Sequence, residues 1–241
     1  MNVEVDAMGN AVSREKRYIN NIPAIIWGEE SNKAYIYVHG KMSYKESAEK
    51  FAKIADKKGY QTISFDLPKH GERSEQSEPC DIWNGRKDLL KIAKYSWERW
   101  NSLSLYACSL GAHFSLYSYP GWAFKNCLFQ SPIVNIDYLV DRLFEWYQLS
   151  EDILRDRKVI ETPLHTLTWE YYMFIRENPV SEWKIPTSIL YAENDSLQSR
   201  QVMEEFAQKY NCNLTIANNC NHGFDQGNDK EIEKEWLERV I

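Results

Sequence analysis

Cysteine is scarce and unpatterned in this sequence. The five cysteines, Cys80, Cys108, Cys127, Cys212 and Cys220, are odd in number and form no C-x-x-C pair. That excludes the disulfide framework that staples small secreted domains, and a cysteine-based zinc site with it, so reduced thiols are expected. Positive charge is in deficit as well: 29 Lys and Arg face 35 Asp and Glu, a formal net charge of −6. Nucleic-acid binding needs a concentrated basic face, so no nucleic-acid partner is expected. Even between Lys87 and Arg99 basic residues alternate with acids, as on a solvated helix face. Long apolar runs are missing too, and the opening Met1-Asn2-Val3-Glu4-Val5-Asp6 lacks a basic start followed by an apolar core. No membrane span is expected, and a cytoplasmic location follows as the default.

What is present is the balance of a globular protein, with 43% hydrophobic and 27% charged residues in 241. No repeat or low-complexity linker divides the chain, and the length suits one large α/β domain with a substantial core. Val3–Val5 and Ile22–Trp27 read as short strands flanking a Met8-Gly9-Asn10 turn and a charged connection, an antiparallel entry to a sheet. Ala34–Val38 is a β-rich run suited to burial on both faces. Ala48, Phe51, Ala52 and Ala55 then recur at helical spacing up to Gly59. Strands at 62–65, 104–108 and 126–129 alternate with further helical segments, which implies a parallel sheet.

From about Ile133 to Trp183 this alternation gives way to a helical, aromatic stretch that reads as an insertion. Thr187–Ala192 resumes the sheet, a helix carrying Val202, Met203, Phe206 and Ala207 follows, and Asn213–Ala217 is the last strand. Ile232, Trp236, Leu237 and Val240 make the closing segment an amphipathic helix.

The centre of this pattern is Ser104-Leu105-Tyr106-Ala107-Cys108-Ser109-Leu110-Gly111. It reads as a buried strand, a sharp turn with Ser109 at its tip, and a helix leaving at once. A serine so placed is lifted out of the sheet with its hydroxyl exposed and the next backbone amide aimed at the same space. In an open parallel sheet, the loops at the carboxyl ends of strands converge on one edge. His39-Gly40-Lys41, Ser109, Asp195 and Asn221-His222-Gly223-Phe224 all follow strands at such ends.

These motifs jointly resemble the α/β-hydrolase family, over nearly the whole chain from Ala34 onward. Ala107-x-Ser109-x-Gly111 resembles the G-x-S-x-G elbow with alanine for the first glycine. Tyr37-Val38-His39-Gly40 resembles the family's H-G turn, and Asp66-Leu67-Pro68-Lys69-His70-Gly71 its D-x-P-x-H-G loop. Ala192-Glu193-Asn194-Asp195 is similar to the acid turn, and His222-Gly223-Phe224 to the histidine turn. The chain order Ser, Asp, His is also the family's.

The resemblance implies an α/β-hydrolase fold, a mostly parallel sheet flanked by helices, with residues 133–183 as a helical cap. It implies a serine hydrolase acting on a small-molecule acyl substrate, with no cofactor and no metal. Ser109 is then the nucleophile, His222 the base and Asp195 its orienting acid, with the amides of Lys41 and Leu110 as the oxyanion hole.

Glu193, Asp225 and Asp66 remain rivals to Asp195, while His39 and His70 read as loop-holding residues. His113 and His165 read as structural or surface histidines, with substrate contact open to His165. Cys108, one position off the tip, turns its thiol away from the nucleophile's place. The aromatic cap favours apolar or aromatic acyl groups. Carboxylic esters are the first expectation, thioesters, amides or small peptides the second, and a non-catalytic binding protein on the same scaffold the third. The Lys41 side chain has no assigned role, and nothing in the sequence speaks to oligomeric state.

Overall fold

A computed structural model describes residues 12–241; the expected strand at Val3–Val5 and the Met8-Gly9-Asn10 turn lie outside them. The chain opens with β1 (Arg14–Ile19) and β2 (Ile22–Trp27), paired antiparallel. The stretch read as a charged connection is therefore itself a strand. Its RYI/REK character misleads because β1 is an edge strand with most side chains in water, where charge also deters unwanted pairing. Asn20 and Asn21, both at positive φ (48° and 66°), make the tight two-residue turn between the strands.

β3 (Lys33–Val38) is followed by a short 3-10 turn and α1 (Glu49–Lys57), and β4 (Gln61–Phe65) by α2 (Ile82–Arg99). β5 (Ser102–Cys108) enters α3 (Leu110–Ser118), and β6 (Cys127–Gln130) ends the first half of the sheet. The chain then leaves the sheet through α4 (Ile136–Tyr147), α5 (Glu151–Arg157), a hairpin of β7 (Val159–Glu161) and β8 (Thr166–Thr168), and α6 (Trp169–Glu177). The hairpin is a departure from an all-helical insertion; three-residue strands are too short to display a period of two. β9 (Thr187–Ala192), α7 (Arg200–Lys209), β10 (Asn213–Ala217) and α8 (Asp229–Val240) complete the chain.

The eight-stranded sheet runs β1-β2-β4-β3-β5-β6-β9-β10, with β1 and β2 antiparallel and every pair from β4 to β10 parallel. β6 pairs directly with β9, so the intervening excursion adds no strand to the sheet. The pleat divides the core: Ala34, Ile36 and Val38 of β3 join the cluster containing Leu89 of α2, Phe114 of α3 and Met203 of α7. Tyr35 and Tyr37 join Phe51 of α1 and Trp236 of α8 on the other face. From β3 the chain moves to one side for β4 and back to the other for β5. That reversal opens a crevice at the carboxyl ends of β3 and β5, where a doubly wound sheet seats a ligand. Among the described residues no helix is long and apolar enough to cross a membrane.

Candidate active site

Ser109 caps β5 in a conformation few side chains adopt, φ 48° and ψ −115°, and such strain persists only where the surroundings enforce it. Its amide donates to the Gln130 carbonyl (3.1 Å), and its carbonyl accepts from Ala112 (3.1 Å) and Ile133 (3.3 Å). Glycine is needed at 111 because α3 leaves hard against β3: a β-carbon there would lie 2.6 Å from the Val38 carbonyl oxygen.

His222 comes from the loop after β10. Its carbonyl accepts from Ser131 Oγ at 2.8 Å, which fixes the backbone that carries the ring. Nδ1 donates to Asp195 Oδ2 at 2.7 Å, leaving Nε2 to accept from the Ser109 hydroxyl at 2.9 Å. The other oxygen of Asp195, Oδ1, accepts from the amides of Leu197 (2.8 Å) and Gln198 (3.3 Å). The carboxylate is thus buried with both oxygens occupied, and the tautomer of His222 is set by it.

The rival acids lie elsewhere. Glu193 accepts from the Asn219 amide at 2.8 Å, and Asp66 is paired with the buried ammonium of Lys45 at 2.8 Å. Asp225 lines the cavity beside Ser109, but it is Asp195 that meets the ring.

Both expected backbone donors stand beside the serine. Leu110 is the first residue of α3, so its amide has no acceptor within the helix. The other strand end passes close by, and a β-carbon on Gly40 would be 3.2 Å from that of Ser109. His39 and His70 brace this loop. His39 Nδ1 donates to the Gly40 carbonyl (2.7 Å) and its Nε2 accepts from the Leu67 amide (3.1 Å). His70 Nδ1 donates to the Pro68 carbonyl (2.8 Å) and its Nε2 accepts from the Met42 amide (3.2 Å). Burial lowers both pKa values, that of His39 to about 4, which keeps each ring neutral and able to accept as well as donate.

Two cavities of different character meet at Ser109. One, of about 180 Å³, has an aliphatic wall that includes Ile136, Leu139 and Leu143 of α4, with Leu164 and His165 from the hairpin turn. The other, of about 460 Å³, is the more polar of the two, with Glu46, Gln130 and Glu233 in its lining beside Phe51 and Tyr106. The aromatics of the excursion do not form the wall beside Ser109. Trp169 packs on Tyr172 (5.5 Å between ring centres), Phe174 packs on Trp83 (5.5 Å), and Tyr171 joins buried His113 through a 2.6 Å hydrogen bond. Phe174 and Tyr171 dock the excursion onto α2 and α3, as an insertion without its own core requires.

Cys108 lines the polar cavity, and burial pushes its thiol up to about 12, so it stays protonated. All five cysteines are free. Among the described residues no three His, Cys, Asp or Glu side chains gather as a metal ion would require.

Gln198, fully buried, is a residue the sequence did not point to. Its Oε1 accepts from the amides of Val134 (3.1 Å) and Asn135 (2.8 Å), and its Nε2 donates to the Asn135 carbonyl (2.9 Å). It ties the start of the excursion to the loop that carries Asp195. Glutamine three residues beyond the acid was the available signal, but its meaning depends on a segment some sixty residues away.

No family model matches the sequence, and no curated protein is similar to it. Solved structures are. Est1E from Butyrivibrio proteoclasticus with ferulic acid bound superposes with a TM-score of 0.75 at 15% identity, covering 93% of this chain and 96% of that one. The esterase Pf2001 from Pyrococcus furiosus gives 0.63 at 18%, covering 100% and 94%. TT1662 from Thermus thermophilus gives 0.66 at 17%, covering 95% and 97%. What these share with the chain is architecture: it has the α/β-hydrolase fold.

Proposed function

We propose that this protein is a serine hydrolase that cleaves small carboxylic esters through an acyl-serine intermediate. The observation that carries this reading is the continuous relay from Ser109 Oγ to His222 (2.9 Å) and from His222 to Asp195 (2.7 Å). In this reading Nε2 takes the serine proton as Oγ attacks the ester carbonyl, and Asp195 stabilises the imidazolium that results. The amides of Leu110 and Lys41 receive the developing oxyanion; losing one such donor typically costs about 3 kcal/mol of transition-state stabilisation. His222 then passes its proton to the departing alcohol, and water attacks the acyl-serine by the same route reversed.

The aliphatic cavity suits the acyl chain, and the polar one gives the alcohol and the incoming water access to Nε2. Residues 133–183 act as the cap over the acyl side. One of the similar structures, Pf2001, is named as an esterase, which supports an ester as the substrate class.

The test is intact-mass analysis after treatment with a fluorophosphonate, with wild type beside Ser109→Ala and His222→Ala, followed by hydrolysis of p-nitrophenyl esters. A single adduct and ester turnover, both absent from the two variants, are expected. A folded wild type that takes no adduct and turns over no ester sinks the reading in favour of a binding protein on the same scaffold.

A further inference from the structure

Lys41 presents two groups to two different neighbours. Its backbone amide belongs to the peptide that runs beside Ser109, while its ammonium reaches away and donates to the Leu164 carbonyl in the turn between β7 and β8. That turn is stiff: Thr162 donates to the His165 carbonyl through its amide (3.1 Å) and its hydroxyl (2.7 Å), and the hydroxyl oxygen accepts from the His165 amide (2.9 Å). A hold on Leu164 is therefore a hold on the hairpin. Among the described residues no carboxylate pairs with the Lys41 ammonium. The titratable groups around it are His70, His165 and Cys80, all held neutral by burial.

The peptide in question is already gripped from beneath. His39 Nδ1 donates to the Gly40 carbonyl, the oxygen of the same peptide whose N–H belongs to Lys41. In a trans peptide these two groups point in opposite directions, so a bond to the oxygen fixes the direction of the N–H as well. The next peptide is held by Met42, whose amide donates to His70. Met42 itself sits at φ 62°, a left-handed conformation that is strained for a non-glycine residue and needs outside support. Two histidines provide that support from the sheet side, and the lysine side chain provides it from the hairpin side.

Building on the hydrolase reading above, we propose that the Lys41 ammonium and the Leu164 carbonyl form a strut that couples the seat of the β7–β8 hairpin to the aim of the Lys41 N–H. Lys41 is thus a positioning residue for the second oxyanion donor. An acyl chain that packs against Leu164 and seats the hairpin completes the oxyanion hole in the same movement.

The experiment compares wild type, Lys41→Met and Lys41→Arg on neutral short-chain p-nitrophenyl esters, with hydrogen exchange of residues 159–168 measured in parallel. Lys41→Met keeps the aliphatic stem and loses the donor. Its kcat is expected to fall about 10- to 100-fold, the range for a displaced transition-state donor, with KM changed less than about twofold. Lys41→Arg restores a donor and most of kcat. Exchange in the hairpin quickens in Lys41→Met, a change that needs no turnover to be seen.

An active wild type whose Lys41→Met variant keeps its kcat overturns the strut and leaves the hydrolase reading intact. A rise in KM with kcat and exchange unchanged also overturns it, in favour of direct substrate contact by the ammonium. A wild type that neither labels nor turns over ester removes the hydrolase reading, and the inference falls with it.

Discussion

Gly111 and His39 approach so closely that a β-carbon on the glycine would sit 2.5 Å from the histidine's carbonyl oxygen. The contact is between the first turn of α3 and the end of β3, backbone against backbone, so no flexible side chain is available to give way. It sets the depth at which Ser109 stands in the crevice. Gly111→Ala is expected to destabilise the protein by about 1–3 kcal/mol, the usual range for overpacking, with the strain concentrated at the elbow. Denaturant unfolding checks the stability. Fluorophosphonate labelling, slowed more than the stability loss accounts for, checks the elbow.

Asp66 serves as a structural counter-charge, not as the acid of the relay. Its Oδ1 accepts from the Lys45 amide at 2.9 Å, and its Oδ2 accepts from the Lys45 ammonium (2.8 Å) and the Glu72 amide (3.0 Å). Gly71, at φ 53°, must be glycine because a β-carbon there would lie 2.3 Å from the carboxylate. Removing one partner of a buried pair strands the other charge, at a typical cost of 3–5 kcal/mol. Glu46 and Glu72 also reach the Lys45 ammonium, at 3.1 and 2.9 Å, so Asp66→Ala is expected near the lower end, about 3 kcal/mol. Unfolding in urea at low and high salt is the check: the loss should persist in salt, which screens exposed pairs far more than buried ones.

Acid should weaken the fold through two buried histidines. Burial lowers the pKa of His39 to about 4 and that of His113 to about 3, against about 6.5 in the unfolded chain. Below pH 6.5 the unfolded state binds protons that the native state refuses, so stability is complete above that pH and declines as pH falls toward the folded values. Each histidine accounts for about 3 kcal/mol between pH 6.5 and pH 4. The urea midpoint measured across that window should fall, and fall less steeply in His113→Gln, which still offers a hydrogen-bonding group to Tyr171 but does not titrate.

The relay was legible in the sequence because each of its members ends a strand, and a parallel sheet brings those ends to one edge whatever the details between them. Thr187–Ala192 and Asn213–Ala217 were legible as strands for a related reason: short β-rich runs between polar turns. β1 was not, since an edge strand with both faces in water loses the alternation that marks a half-buried one. Composition did not divide the work within the excursion: Phe174 and Tyr171 dock the segment on α2 and α3, Tyr171 also lines a cavity with Lys41 and Leu110, and aliphatic residues at one face of α4 line the cavity by Ser109. Which face of an inserted helix meets the ligand is decided by long-range packing that local periodicity does not encode. The reach of Lys41 to Leu164, 123 residues away in sequence, is invisible for the same reason.

The aliphatic cavity sets a limit on the acyl group. A dry apolar cavity of about 150 Å³ accommodates a benzene-sized molecule, so the cavity of about 180 Å³ beside Ser109 fits a chain of roughly six carbons. Leu143, fully buried on α4, lines it together with Ile136, about two turns earlier on the same helix. Hydrolysis of straight-chain p-nitrophenyl esters is therefore expected to peak near that length, since a longer chain must turn past Leu110 and His165 into the neighbouring cavity lined by Trp83 and Tyr171. Leu143→Ala removes three carbons from the wall and should move the optimum to longer acyl chains, while costing stability in the range of about 2–5 kcal/mol typical of such truncations. The rate for acetate esters, which do not reach that wall, should change little once the variant is measured well below its unfolding midpoint. An unchanged length profile in Leu143→Ala would place the acyl chain in the polar cavity and reverse the assignment of the two cavities.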